Sequence, residues 1–273
     1  LMPSVSRLRV YPIKSCRGYD IAVAALDPLG IMGDRRFQVV DETGKPFTQR
    51  SHPTLARVDA RLTEGTLAVS AAGIGEFAYD TADATGDDLI ETEVWSTTGL
   101  QASPTTTAAD AFFSTLLEAP ARLVQVGTAF ERPVKNHPDS RVGFADAYPL
   151  LVISEASLHD LNDRLRARGE EAIVMERFRP NLVVRDCAPF AEDSWSRLQI
   201  STVPFAAAGP CERCIMTTLD PVTGDRLGSE PLRTLATYRR TDDGAGVNFG
   251  QNLVHLSTHG TIRVGDTVEL SDD

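Results

Sequence analysis

The chain has 273 residues, 42% hydrophobic and 24% charged, which is enough to bury a core and close to globular averages, so wholesale disorder is excluded. Its net charge of −11 argues against nucleic acid or an anionic membrane as the main partner, because both demand clustered positive charge. The four cysteines, at 16, 187, 211 and 214, are too few and too unevenly spaced for a disulfide framework.

Val5 to Tyr11 reads as a strand, with Leu8 and Val10 alternating against Arg7 and Arg9 and Pro12 closing the run. Phe37 to Val40 is a second strand, followed by the hairpin turn Asp41-Glu42-Thr43-Gly44, and Thr66 to Val69 is a third. Gly73 to Asp88 is rich in Gly, Ala and Asp and reads as loop. The i,i+4 pairs Phe112/Leu116 and Phe113/Leu117 predict a helix over Ala108 to Glu118, with Pro120 past its end. Glu131 to Asp146 carries Pro133, Asn136, Pro138 and Gly143 as breakers and reads as a long loop. A second helix starts after Ser154 as N-cap, shows Leu158, Leu161 and Leu165 on one face, and stops at Gly169. Strands then return at Leu182 to Arg185, Leu198 to Pro204 and Thr261 to Leu270 with its Gly265-Asp266 turn. A short helix around Pro231 to Tyr238 interrupts them. Many short strands and few helices predict a predominantly β (α+β), barrel-like protein in two lobes, divided between the helix near Ala108 and the loop after Glu131.

No stretch approaches the roughly 18 consecutive apolar residues of a membrane-spanning helix, and residues 1–17 show no secretory leader. Leu1 ahead of Met2 reads as an added residue, and the expectation is a monomer in a reducing cytoplasm.

Chemistry-bearing residues gather at strand ends and turns: Tyr11 to Cys16, Gly33 to Phe37, Arg177 to Asn181, and Cys211 to Pro221. Taken singly, the arginines of these segments read as solvated surface charges, and Cys16 and Cys187 as small buried side chains. His255 and His259 have the i,i+4 spacing, but Leu256 stands where a metalloprotease has glutamate, and no histidine is assigned to a metal. Cys211-Glu212-Arg213-Cys214 admits four readings: half a zinc site, a redox pair, a structural pair, or one thiolate on a soft metal that needs strong electron donation. Zinc lacks further ligands at comparable spacing, and a redox pair lacks its following helix.

Seven phrases, in this order, carry a resemblance: Tyr-Pro-Ile-Lys-Ser-Cys at 11–16, Asp-Arg-Arg-Phe at 34–37, Leu-Val-Ile-Ser-Glu-Ala-Ser-Leu at 151–158, Arg-Phe-Arg-Pro-Asn at 177–181, Glu-Asp-Ser-Trp at 192–195, Cys-Glu-Arg-Cys-Ile-Met-Thr-Thr at 211–218 and Phe-Gly-Gln-Asn at 249–252. The ordered set resembles the MOSC family, and within it the amidoxime-reducing components and their bacterial relatives. The resemblance implies a MOSC β-barrel over 121–273 with an additional N-terminal β-rich domain over 1–120, whose first ~40 residues contribute to the site. It implies a molybdenum cofactor (Mo-molybdopterin) with Cys214 as the metal ligand. Lys14, Ser15, Arg36, Arg179, Asn181 and Arg213 would hold the pterin and its phosphate, with backbone help around Ala147 and Tyr148. Glu212 and Asn252 belong to the same expected set; Glu212 puts a carboxylate between the cysteines that would tune access or substrate choice, and Asn252 replaces an aromatic residue of animal relatives. A phosphate with about two negative charges, bound by forked Arg donors and a Lys point charge, makes this set chemically coherent.

The expected reaction is reductive removal of oxygen from small N-hydroxylated substrates such as amidoximes and hydroxylamines. Cys214 would anchor the metal; Asp220 with Thr218 would assist proton delivery or serve as turn formers, the reading that the following Pro221 and Gly224 favour for Asp220. The chain shows no flavin, nicotinamide or iron–sulfur motif, so electrons would come from a separate electron-donor redox protein. Two other readings stand beside it: a cofactor carrier or sulfur-transfer module with a persulfide on Cys214, and a non-catalytic anion-binding β domain.

Overall fold

A computed structural model of the protein describes residues 2–83 and 88–271. Leu1, residues 84–87 of the stretch read as loop, and residues 272–273 lie outside the described residues. Strands predominate, accompanied among the described residues by α1 over Thr107–Leu117, α2 over Glu155–Ala167 and α3 over Leu232–Leu235. The predominantly β, α+β class read from the sequence is the observed one.

The largest layer is an eight-stranded sheet in the order Tyr19–Ile21, Ser4–Val10, Leu182–Arg185, Leu150–Ser154, Asn248–His255, Val203–Glu212, Arg197–Ile200, Val268–Ser271. Leu150–Ser154 and Leu182–Arg185 run parallel, with Val152 opposite Leu182 and Ile153 opposite Val183. A parallel pair needs a crossover, and α2 supplies it. Leu150, Val152, Leu182 and Val184 share a core with Ala24, Leu26 and Ile262 of a three-stranded sheet. Leu151, Ile153 and Val183 pack the other way, with Leu161 and Leu165 of α2. Covered on both faces, these strands are apolar up to their last residues, Ser154 and Arg185, so Leu150–Ser154 carries no alternation by which to recognise it.

Helix α2 begins where Ser154 Oγ accepts from Ser157 N at 2.9 Å. It ends where Gly169 takes φ +77° and Glu170 N reaches back to Leu165 O at 3.0 Å. Glu192 holds this start from below: it is 0% exposed, and its Oε1 accepts from Ser154 N at 3.0 Å and Ser157 Oγ at 2.7 Å. Glu192→Ala strands two buried donors, so we expect a loss of about 2–3 kcal/mol in urea unfolding. Glu192→Gln, which keeps an acceptor, should recover most of it.

The remaining N-terminal part is built around a four-stranded sheet of Phe37–Val40, Arg122–Gln125, Thr97–Pro104 and Ile90–Val94, with a meander of Asp59–Thr63, Thr66–Ala71 and Gly75–Asp80. Phe112, Phe113 and Leu116 of α1 pack with Phe37, Val39, Leu67, Val69 and Tyr79.

Besides strands that the sequence reading did not mark, among them Ile90–Val94, Thr97–Pro104, Arg122–Gln125, Leu150–Ser154 and Asn248–His255, four expected elements differ. Gly75–Asp80 is a strand within the stretch read as loop, because its pairing with Thr66–Ala71 and the burial of Tyr79 outweigh its weak composition. Glu131 to Asp146 contains a hairpin, Pro133–Val134 with His137–Arg141, for which Asn136 at φ +65° makes the turn. Leu198 to Pro204 is divided by a turn at Ser201 (φ +55°), and the second strand runs on from Val203 to Glu212. The helix around Pro231 is confined to Leu232–Leu235.

Candidate functional site

Two N-terminal segments lock together first. Lys14 N donates to Phe37 O at 2.8 Å, Arg35 N to Tyr11 O at 2.8 Å and Phe37 N to Pro12 O at 3.0 Å. Asp34 Oδ1 accepts from Tyr11 N at 2.9 Å. The Tyr11 ring, 2% exposed, lies between two guanidinium groups, with Arg35 at 4.2 Å and Arg179 at 4.3 Å from its centroid. Arg179 Nη1 also donates to Cys16 O at 2.8 Å. Burial, reinforced by repulsion from Arg35, lowers the Arg179 pKa to about 10.

The cysteines arrive from the other side. Along Val203–Glu212 the register against Asn248–His255 slips between Ala207 and Gly209 and again between Pro210 and Glu212. Such bulges bend a strand end and re-aim its side chains. Cys211, Glu212, Arg213 and Cys214 consequently line the same cleft, of about 660 Å³, as Lys14, Ser15 and Arg179.

Ala147, Tyr148, Asn181 and Asn252 line it too, which brings ten of the expected site residues together. Asn181 is already committed within the protein: its Oδ1 accepts from Arg35 Nη1 at 3.0 Å, and its Nδ2 donates to Arg9 O at 3.2 Å. Glu212 is exposed and lies against Gly246, where an added Cβ would stand 2.3 Å from its Oε1.

Arg36 and Asp220 lie outside the cleft lining, contrary to expectation. Arg36 Nη2 donates to Asp27 Oδ1 at 2.7 Å and Ile31 O at 3.0 Å, while its neighbour Arg35 takes the place in the wall. Arg35 stands in the turn before the strand Phe37–Val40, at φ +46°, and that turn puts it in the wall with Arg36 behind it. Asp220 closes a turn, its Oδ1 accepting from Thr223 N and Val222 N at 2.8 Å each, and these donors hold its carboxyl below the ordinary range. Thr218 is buried and donates to Ile215 O at 2.8 Å.

Sequence reasoning missed Arg50, Arg132 and Asp146, which carry much of the site's electrostatics, and Trp95, which lies against Arg50. Arg50 Nη2 donates to Cys214 Sγ at 3.3 Å and to Asp146 Oδ2 at 3.2 Å, and its guanidinium lies 4.2 Å from the centroid of the Trp95 ring. Lys14 Nζ donates to Phe144 O at 2.8 Å and pairs with Asp146. Burial pushes the Lys14 ammonium pKa down, against the pull of Asp146. Arg132 is buried, donates through Nη1 to Gly143 O at 2.9 Å, and has its pKa lowered to about 10 by that burial. None of these four belongs to a phrase with chemical meaning of its own, so only long-range packing reveals them.

Partial desolvation works against ionisation of Asp146, whose side chain is half exposed, yet Lys14 and then Arg50 outweigh it and hold its carboxyl well below the usual range. A depressed carboxylate stabilises the fold above its unfolded pKa of about 3.9, and that contribution is lost as pH falls toward the folded value. Asp146→Asn should therefore be less stable than the parent at pH 7. The gap between the two should close on acidification below about pH 4, when urea midpoints are compared across pH.

The wall chemistry tests what this cleft suits. Eight cationic side chains line it, Lys14, Arg35, Arg50, Arg132, Lys135, Arg177, Arg179 and Arg213, against the acids Asp146 and Glu212, in a chain of net charge −11. Arg213 Nε is buried without a hydrogen-bond partner among the described residues. No three His, Cys, Asp or Glu side chains gather to cage a metal ion among the described residues. Two half-buried thiols, Cys211 and Cys214, beside a cationic wall are too few to cage a metal ion and fit an anionic group that brings its own metal and most of its own ligands.

The sequence matches the MOSC N-terminal beta barrel domain over residues 2–120 and the MOSC domain over residues 139–269. Human mitochondrial amidoxime-reducing component 1 is 34% identical over 284 residues, covering 98% of this chain and 82% of its own. Mitochondrial amidoxime reducing component 2 of Bos taurus is 33% identical over 285 residues, covering 97% and 82%. Among solved structures, the YuaD protein from Bacillus subtilis covers 98% of this chain and 95% of its own, at 9% identity and a TM-score of 0.39.

Proposed function

Because the chain belongs to the MOSC-domain family of the mitochondrial amidoxime-reducing components, we propose that it is a molybdenum-dependent oxidoreductase reducing small N-hydroxylated compounds. The observation that carries this reading is the convergence of Cys214 with the cations of distant segments in one cleft. Cys214 is the metal ligand. Lys14, Arg35, Arg179 and Arg213 hold the anionic pterin and its phosphate, Ser15, Ala147, Tyr148 and Asn252 complete the lining, and Asn181 orients Arg35. In this assignment Arg35 takes the role that the resemblance places on Arg36.

When bound, the molybdenum–pterin group supplies two-electron reductive removal of oxygen, turning an amidoxime into an amidine and water. The chain's own residues hold and orient it. Arg50 donates to the Cys214 sulfur, and Asp146 holds Arg50 and Lys14 in place. The Tyr11 ring keeps Arg35 and Arg179 apart on one wall. Electrons come from a separate redox protein, since the chain offers no binding motif for a second electron carrier. Among the described residues no helix is long and apolar enough to cross a membrane.

The test is expression in a host that makes the cofactor, followed by metal analysis, fluorescence of the oxidised pterin, and benzamidoxime reduction with a chemical reductant. Stoichiometric molybdenum with turnover supports the reading. A persulfide on Cys214 with neither metal nor pterin replaces it with sulfur transfer.

A further inference from the structure

Trp95 has no part in the chemistry described so far. It sits at the turn joining the strands Ile90–Val94 and Thr97–Pro104, lines the cleft, and is 57% exposed. Its φ of +55° is a conformation that bulky side chains avoid. Such strain persists only where the surroundings impose it, and here Val94 beside it is buried in a core with Val40, Leu100 and Phe144. An apolar ring is thus held out into a cationic cleft.

Arg50 fixes where the ring stands. The same guanidinium that lies against the indole donates to Cys214 Sγ at 3.3 Å, so one side chain separates the ring from the sulfur. With Arg50 against it, more than half of the residue still faces solvent. Covering that surface with a flat apolar body is favourable. The eight cations lining the cleft disfavour a positively charged guest.

Resting on the reductase reading above, the geometry points to Trp95 as the specificity-determining residue. It takes the flat, uncharged aromatic body of an N-hydroxylated substrate and favours aryl over alkyl amidoximes.

The test uses the cofactor-loaded protein with benzamidoxime and acetamidoxime, reading kcat and KM separately for the parent, Trp95→Ala and Trp95→Phe. The preference, as the ratio of the two KM values, should fall about tenfold in Trp95→Ala, the scale of one stacked ring, and return to within about threefold of the parent in Trp95→Phe. Tryptophan emission gives a second readout. Trp195, the other tryptophan, is 5% exposed within the core of the eight-stranded sheet, so quenching by benzamidoxime reports on Trp95 and should vanish in Trp95→Phe. An unchanged KM ratio, or equal losses on both substrates as a merely structural role would give, overturns the assignment. Quenching without turnover of either compound would sink the reductase reading and leave the stacking site standing. Turnover with neither quenching nor a KM split would sink the stacking site alone.

Discussion

Cys214→Ser is expected to leave a folded protein that has lost amidoxime reduction by roughly 100-fold or more and retains little molybdenum. Losing an outer partner of a metal site already costs about 10–100-fold, and the direct ligand carries more. A hydroxyl is a harder and poorer electron donor than a thiolate, so the substitution removes the donation a soft metal needs. Stability should change by no more than about 0.5 kcal/mol, because the side chain is half-buried and caps no helix. Its polar contact is the 3.3 Å approach of Arg50, which a serine oxygen also accepts. Turnover, metal content and thermal melting measured on one preparation separate loss of the ligand from loss of the fold. A Cys214→Ser protein reducing benzamidoxime at the parent rate would end the ligand assignment. Cys211→Ser is the control: Cys211 Sγ lies 2.8 Å from Arg213 Nη1, so that change should weaken cofactor retention more than chemistry.

Tyr11→Ala should be among the most damaging single changes, at about 3–5 kcal/mol, the usual range for removing a buried aromatic ring. The midpoint should fall by on the order of 10 °C. The ring fills space and also stands against two like charges, with Arg35 at 4.2 Å and Arg179 at 4.3 Å from its centroid. Without it, Arg35 and Arg179 repel across a cavity, so cofactor retention should fall with stability. Tyr11→Phe keeps the face and loses only the hydroxyl donated to Pro180 O at 3.1 Å, for about 1 kcal/mol. Comparable losses in the two variants, followed by urea unfolding, would show that the guanidinium stacking matters little.

The strand Phe37–Val40 and helix α2 were legible because their signals are local: a short apolar run before a turn, and a capped 3.6-residue period. Leu150–Ser154 was hidden by burial on both faces, and Gly75–Asp80 by small residues that become a strand only beside Thr66–Ala71. In the site, Lys14, Arg179, Arg213 and Cys214 were readable because each belongs to a recognisable phrase. Arg50 was not, since its partners Asp146, Cys214 and Trp95 lie 96, 164 and 45 residues away along the chain.

Residue order alone determined the β-rich class, the capped helices and the segments that bear the chemistry, because turn preference, periodicity and side-chain type act over a few neighbours. Only the tertiary structure decided which of the adjacent arginines 35 and 36 faces the cleft, and that Arg50, stacked on Trp95, reaches the Cys214 sulfur. Those outcomes depend on strand bulges and on contacts between distant segments, whose energies no local window of sequence contains.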